Sequence, residues 1–141
     1  MPMPTAPENV LYTANVHTSG GRDGRSRSDD GRLDIQLSSP GSSGLGTNPE
    51  QLFAAGWSAC FEGAMQLAAR RLKIKLPENV AVDARVDLCS AEGSYFLQAS
   101  LNVSVPGVDQ ESAQALIYAA HETCPYSKLT RNNIHVEVTL A

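Results

Sequence analysis

The stretch Asn48-Pro-Glu-Gln-Leu-Phe-Ala-Ala-Gly-Trp-Ser-Ala-Cys60-Phe-Glu-Gly-Ala-Met-Gln-Leu-Ala-Ala-Arg-Arg-Leu72 contains the longest run in the chain with a helical pattern. Asn48 suits an N-cap, Pro49 is tolerated at the first helical position, and Glu50 in the first turn opposes the positive end of the helix dipole. Gly56 and Gly63 are the only breakers before Leu72. In the first half, Leu52, Phe53, Ala54, Ala55, Trp57, Ala59, Cys60 and Phe61 are apolar nearly all round, which predicts a helix buried on every side. Glu62, Gln66, Arg70 and Arg71 return polarity, so the helix surfaces towards its end.

Outward from this helix, period-two alternation dominates. Val10, Tyr12, Ala14 and Val16 read as a strand, punctuated by the loop Gly20-Gly21-Arg22-Asp23-Gly24. Arg25 to Ser28 reads as a short second strand, Asp29-Asp30-Gly31 as a hairpin-type turn, and Leu33, Ile35 and Leu37 as a half-buried third strand. Beyond the helix, Val80 to Leu88 and Tyr95 to Val105 alternate as a hairpin joined across Ser90 to Ser94. Asp109 caps a second helix over Gln110 to about Thr123, whose Ala113, Leu116, Ile117, Ala120 and Cys124 share one face; Pro125 stops it. Ile134, Val136, Val138 and Leu140 form a last strand. The order predicts the α+β class: antiparallel sheets, a long buried central helix and a second helix.

The 141 residues suit a single domain, with residues 1–8 read as a flexible tail. Eleven Lys and Arg against fifteen Asp and Glu give a net charge of −4, which lacks the basic footprint of a nucleic-acid binder. No apolar run approaches the length of a membrane span, and the Pro-rich start has no signal-peptide character. A cytoplasmic protein is the expectation. Three cysteines are then too few for a disulfide scaffold.

Each cysteine taken alone reads first as a small buried hydrophobe. Cys60 and Cys124 are the exception, because both point from helix faces towards a shared core. A buried thiol is inert unless a cation stabilises its thiolate, and Cys60 lies too far past the helix start for the dipole to act. Arg22 is the candidate cation by type, although on composition alone it reads first as a solvated loop arginine. Glu50 reads first as an ordinary first-turn acid, and spacing alone selects neither. Cys60, His121 and Cys124 together supply three ligands of an open zinc site, with weak spacing and no fourth ligand. His17 and His135 read as edge residues.

Three motifs in order, Gly20-Gly-Arg22-Asp-Gly24, Asn48-Pro-Glu50-Gln-Leu-Phe53-Ala-Ala-Gly-Trp57-Ser-Ala-Cys60-Phe61 and Cys124-Pro-Tyr126-Ser127, resemble the organic hydroperoxide resistance (Ohr) family of the Ohr/OsmC superfamily. The resemblance runs from Val10 to the C-terminus and favours the hydroperoxide branch over the osmotically induced one. Trp57, where the family commonly has tyrosine, is one departure. The resemblance implies an intertwined homodimer with active sites at the subunit interface. It implies a thiol-dependent peroxidase in which Cys60 is peroxidatic, Cys124 resolving, and Arg22 with Glu50 a charged pair beside Cys60. It implies no bound cofactor and an external dithiol, lipoyl groups on a lipoylated protein in particular, as the source of electrons. Phe53, Trp57, Phe61 and Tyr126 would make an apolar pocket for organic hydroperoxides. Glu50 and Cys60 are ten residues apart, about 15 Å along one helix. A composite site is therefore expected, with the two drawn from different chains. The competing expectation is a non-catalytic binder of small apolar ligands.

Overall fold

The computed structural model describes residues 4–6 and 9–141, so part of the proposed tail, residues 1–3, 7 and 8, lies outside the described residues. The chain divides into two compact units, Met1–Asn48 and Pro49–Ala141.

In the first unit, β1 (Val16–Ser19), β2 (Arg25–Ser28) and β3 (Asp34–Gln36) form an antiparallel sheet in the order β1-β2-β3. The first strand is shorter than the alternation from Val10 suggests. Val10, Leu11 and Tyr12 are largely exposed and make no strand, so the alternation there has no sheet within the chain to answer it. A 3-10 turn over Gly21–Asp23 joins β1 to β2. Its glycines are required: Gly20 and Gly21 have φ of 78° and 59°, and a Cβ on Gly24 would lie 1.7 Å from the Ser19 carbonyl oxygen.

The second unit begins with α1 (Pro49–Leu72). Its buried residues are Trp57, Phe61, Ala64, Met65, Ala68 and Ala69, which form one stripe. The expectation of burial on every side therefore does not hold within one chain, where Ala55 and Ala59 are exposed. β4 (Ala81–Ala91) and β5 (Ser94–Ser104) form a hairpin. Its turn is tighter than the Ser90-to-Ser94 reading: only Glu92 and Gly93 lie outside the strands, with φ of 53° and 77°, the pairing of positive values that suits a two-residue hairpin turn.

α2 (Gln110–Thr123) starts where expected, with the Asp109 carboxylate accepting from the Ser112 N–H at 3.0 Å. A short helix, α3 (Pro125–Thr130), follows directly, and β6 (Val136–Leu140) closes the chain. The sequence reading did not include α3. β6 lies beside β5 in parallel, so this sheet (β4-β5-β6) is mixed rather than antiparallel throughout. The α2–α3 segment supplies the long crossover that a parallel pair needs.

The core of this unit follows from register. Val82 faces Val103, Ala84 faces Leu101 and Val86 faces Ala99, while Val138 and Leu140 flank Leu101 and Val103 from the other side. These residues meet Trp57, Phe61 and Met65 from α1 and Leu116 from α2. Leu101, with 0% exposure, is expected to cost about 2–5 kcal/mol on substitution by alanine. Leu88→Ala, at 50% exposure near the hairpin end, is expected to cost less than about 1 kcal/mol. Urea denaturation of the two variants measures the difference.

Candidate active site

Pro125 shapes the centre of this site. Its ring disfavours the helical region for the residue before it, and Cys124 accordingly stands at φ −60°, ψ 123°. That single extended residue ends α2, with its N–H still donating to Ala120 O at 2.8 Å. It also starts α3, its carbonyl accepting from Lys128 N–H at 3.0 Å. The corner thus formed turns the Cys124 side chain into the core, where it is fully buried.

Cys60 lies halfway along α1 and is half-buried. The two sulfurs are 3.2 Å apart, both as free thiols and within S–H···S hydrogen-bond reach. Burial pushes the Cys60 thiol above its ordinary value, and the adjoining Cys124 thiol adds to the rise. The Tyr126 backbone N–H pulls the other way. Cys89 is apart from the pair in β4, where it faces Phe96 across the hairpin.

Aromatic rings stand beside the thiols. Phe53 meets Trp57 edge-on at 5.6 Å and Tyr126 edge-on at 5.8 Å between ring centroids. Phe53 and Tyr126 are partly exposed, whereas Trp57 and Phe61 are wholly buried in the core. Gly56 makes room for this arrangement, since a Cβ there would stand 2.8 Å from the Tyr126 hydroxyl oxygen.

Behind the thiols runs a polar chain that the motifs alone did not reveal. Trp57 Nε1–H donates to Ser127 Oγ at 3.2 Å, and Ser127 Oγ lies 3.0 Å from His121 Nδ1. Arg131 Nη2 donates to the His121 carbonyl at 2.6 Å. Burial, reinforced by the Arg131 charge, holds the His121 ring below its ordinary pKa, with Glu122 opposing. His121 Nδ1 is thus engaged by a hydroxyl, and among the described residues no three His, Cys, Asp or Glu side chains gather as metal ligands. The zinc alternative has no support in this arrangement. The signal that finds α3, and with it Ser127, is Pro125 itself, read as the first residue of a new helix rather than only as the end of the old one.

Glu50 occupies the first turn of α1, with ten residues of continuous helix leading to Cys60. Arg22 belongs to the other unit, exposed in the 3-10 turn. That turn is tethered through Asp23, whose carboxylate accepts from Ser39 N–H and Ser39 Oγ–H, both at 2.9 Å, which holds Asp23 below the ordinary carboxylate range.

Comparison with known proteins agrees with this architecture. Residues 40–139 match the family described as OsmC-like protein. The organic hydroperoxide resistance protein of Xanthomonas axonopodis pv. citri (strain 306) is 49% identical over 140 residues, which cover 96% of this chain and 99% of the relative. The chain belongs to the Ohr/OsmC superfamily. Bacillus subtilis (strain 168) has a further relative, organic hydroperoxide resistance protein OhrB, 41% identical over 93% of this chain and 98% of its own. The crystal structure of Bacillus subtilis OhrB superposes with a TM-score of 0.88 at 42% identity, covering 94% of this chain and 100% of that one. An organic hydroperoxide resistance protein from Legionella pneumophila superposes equally, at 0.88 and 40% identity over 94% and 99% of the two chains. No helix among the described residues of this superfamily member is long and apolar enough to cross a membrane.

Two expectations follow from the local geometry. Gly56→Ala should destabilise the protein, although alanine gains about 1 kcal/mol over glycine in an ordinary helix interior. Adding Tyr126→Phe, which removes the crowded oxygen, should recover part of the loss, so that a double-mutant cycle gives a favourable coupling. His121 binds its proton less readily folded than unfolded, so the unfolded chain takes up more protons and folding stability falls as pH drops below 6.5. Thermal melts of wild type and His121→Asn between pH 7 and about 5 should show that the variant lacks this part of the slope.

Proposed function

We propose that the chain is a thiol-dependent peroxidase that reduces organic hydroperoxides to alcohols, with Cys60 attacking and Cys124 resolving. The observation that carries this reading is the 3.2 Å separation of two reduced thiols, one of them half-buried and the other fully buried. The relatives named for organic hydroperoxide resistance, at 49% and 41% identity, support it.

The Cys60 thiolate attacks a peroxide oxygen, the O–O bond breaks, and the alkoxide leaves as the alcohol after taking a proton. Cys60 is then a sulfenic acid. The Cys124 sulfur attacks it, the S–O bond breaks, and water leaves as the Cys60–Cys124 disulfide forms. Because the sulfurs start in contact, this step needs side-chain motion on the order of 1 Å to reach the bonded distance of about 2.05 Å. An external dithiol, such as the lipoyl group of a lipoylated protein, returns both thiols by exchange and is itself oxidised to a disulfide.

Activation falls to Arg22. Burial alone disfavours the Cys60 thiolate, so a guanidinium at the sulfur, oriented by the Glu50 carboxylate, is the means of lowering the thiol and stabilising the departing alkoxide. The ten-residue helical separation of Glu50 and Cys60 supports a composite site in an intertwined homodimer. The exposure of Val10, Leu11, Tyr12 and Leu45, at 71%, 97%, 79% and 99%, supports the same assembly, since a second copy would remove this surface from water. Phe53 and Tyr126 would meet the substrate's alkyl part, backed by Trp57 and Phe61. Each methylene buried there gains about 0.8 kcal/mol, a gain hydrogen peroxide lacks. A cytoplasmic setting fits the reduced pair.

Mass spectrometry after one equivalent of an alkyl hydroperoxide should find a Cys60–Cys124 disulfide, and Cys60→Ser should abolish peroxide consumption. An unaltered pair of thiols would leave the alternative, a binder of small apolar ligands. Arg22→Ala should raise the pH midpoint of Cys60 alkylation and slow turnover. Glu50→Ala and Cys60→Ser chains, each inactive alone, should regain activity when mixed and allowed to exchange subunits. That result requires Glu50 and Cys60 to act from different chains.

A further inference from the structure

The polar chain behind the thiols begins at a fixed donor. An indole N–H can only donate, so Ser127 Oγ accepts from Trp57, and the same hydroxyl, with its proton and a second lone pair, also pairs with His121 Nδ1. Burial and the Arg131 charge disfavour a second proton on the His121 ring. Ser127 and Trp57 are both 0% exposed, so water does not replace either bond once it is broken. Leaving such groups unpaired costs about 1–3 kcal/mol each.

The chain is also placed symmetrically about the thiols. Trp57 stands three residues before Cys60 on α1, His121 three before Cys124 on α2, and Ser127 three after Cys124 on α3. Trp57 and Cys60 lie on neighbouring positions of the α1 face, while His121 and Ser127 tie together the two helices that meet at the Cys124 corner. Any shift of the α2–α3 corner against α1 that parts the sulfurs therefore also strains the Trp57–Ser127 bond, while the Ser127–His121 bond holds α3 to α2.

We propose that Trp57, Ser127 and His121 form a latch that positions the resolving thiol, so that Cys124 captures the Cys60 sulfenic acid before a second hydroperoxide does. The inference rests on the peroxidase reading above. Ser127 and His121 touch no substrate and act as positioning residues. The competing step is balanced: a second hydroperoxide transfers one oxygen to the sulfenic acid, giving sulfinic acid and another alcohol, and the enzyme is lost to turnover. The partition between disulfide and sulfinic acid thus reports the latch, and it does not depend on how fast the sulfenic acid first forms.

The test titrates reduced full-length protein with cumene hydroperoxide and counts disulfide and Cys60 sulfinic acid by mass spectrometry. Wild type should close the disulfide throughout. Ser127→Ala and His121→Leu should raise the sulfinic-to-disulfide ratio about tenfold, the factor that corresponds to about 1.4 kcal/mol. His121→Asn, whose amide can replace Nδ1 as either acceptor or donor without titrating, should restore the wild-type ratio. The His121 pair decides the matter if Ser127→Ala fails to fold. A wild-type ratio in His121→Leu, or a His121→Asn ratio as high as that of His121→Leu, overturns the latch and leaves the peroxidase reading intact. A wild-type protein whose two thiols stay reduced overturns both.

Discussion

The clash between a proline ring and the backbone before it sets the geometry on which the site depends. Pro125 holds Cys124 in an extended conformation between two helices, and no regular helix through this position would present the same side-chain direction. With α2 anchored by its apolar face and α3 restarting at the proline, the thiol at the corner has one place to go. That place is the middle of α1, where Cys60 stands beside the core stripe. The meeting of the two sulfurs is a consequence of chain stiffness at one residue as much as of hydrophobic packing.

Aromatic rings and buried polar groups share the core cluster that holds this contact. Phe53 and Tyr126 meet edge-on over the space that Gly56 leaves open. Trp57 turns its ring to Phe53 and its N–H to Ser127, so one side chain serves both. Fully satisfied buried polar groups of this kind restrict a core to one arrangement, because any alternative leaves donors unpaired in a dry interior. The thiols themselves gain no such help: burial and mutual contact disfavour a charge on Cys60. The turn that carries Arg22, in the other unit, depends on its glycines, because Gly20 and Gly21 stand at positive φ and Gly24 leaves no room for a Cβ.

Much of the fold was legible from periodicity and caps. The helix from Pro49 to Leu72, the hairpin of β4 and β5, and the Asp109 cap all stand where alternation and end signals put them, to within a residue or two. Such features are local, since each residue's preference is expressed within a turn or a strand pair. The misses have a common cause. Val10 to Tyr12 alternate without forming a strand, and the first half of α1 is apolar on a face that one chain leaves open at Ala55 and Ala59. Pattern shows that a surface needs cover but not what covers it. The parallel seating of β6 beside β5 is likewise invisible to alternation, which is the same in either direction.

The sequence by itself determined the elements, their apolar faces and the identity of the motif residues, because those follow from side-chain size, polarity and short-range backbone sterics. Residues far apart in the chain carry no mark of their spacing in three dimensions. Only the tertiary structure decided that Cys60 and Cys124 stand 3.2 Å apart and that the thiols are flanked by an aromatic cluster. It alone linked Trp57, Ser127 and His121 into one hydrogen-bonded chain. Packing sets these distances: the corner at Cys124 is a local matter, but what it faces depends on how α2 seats against α1, and that is a property of the whole core.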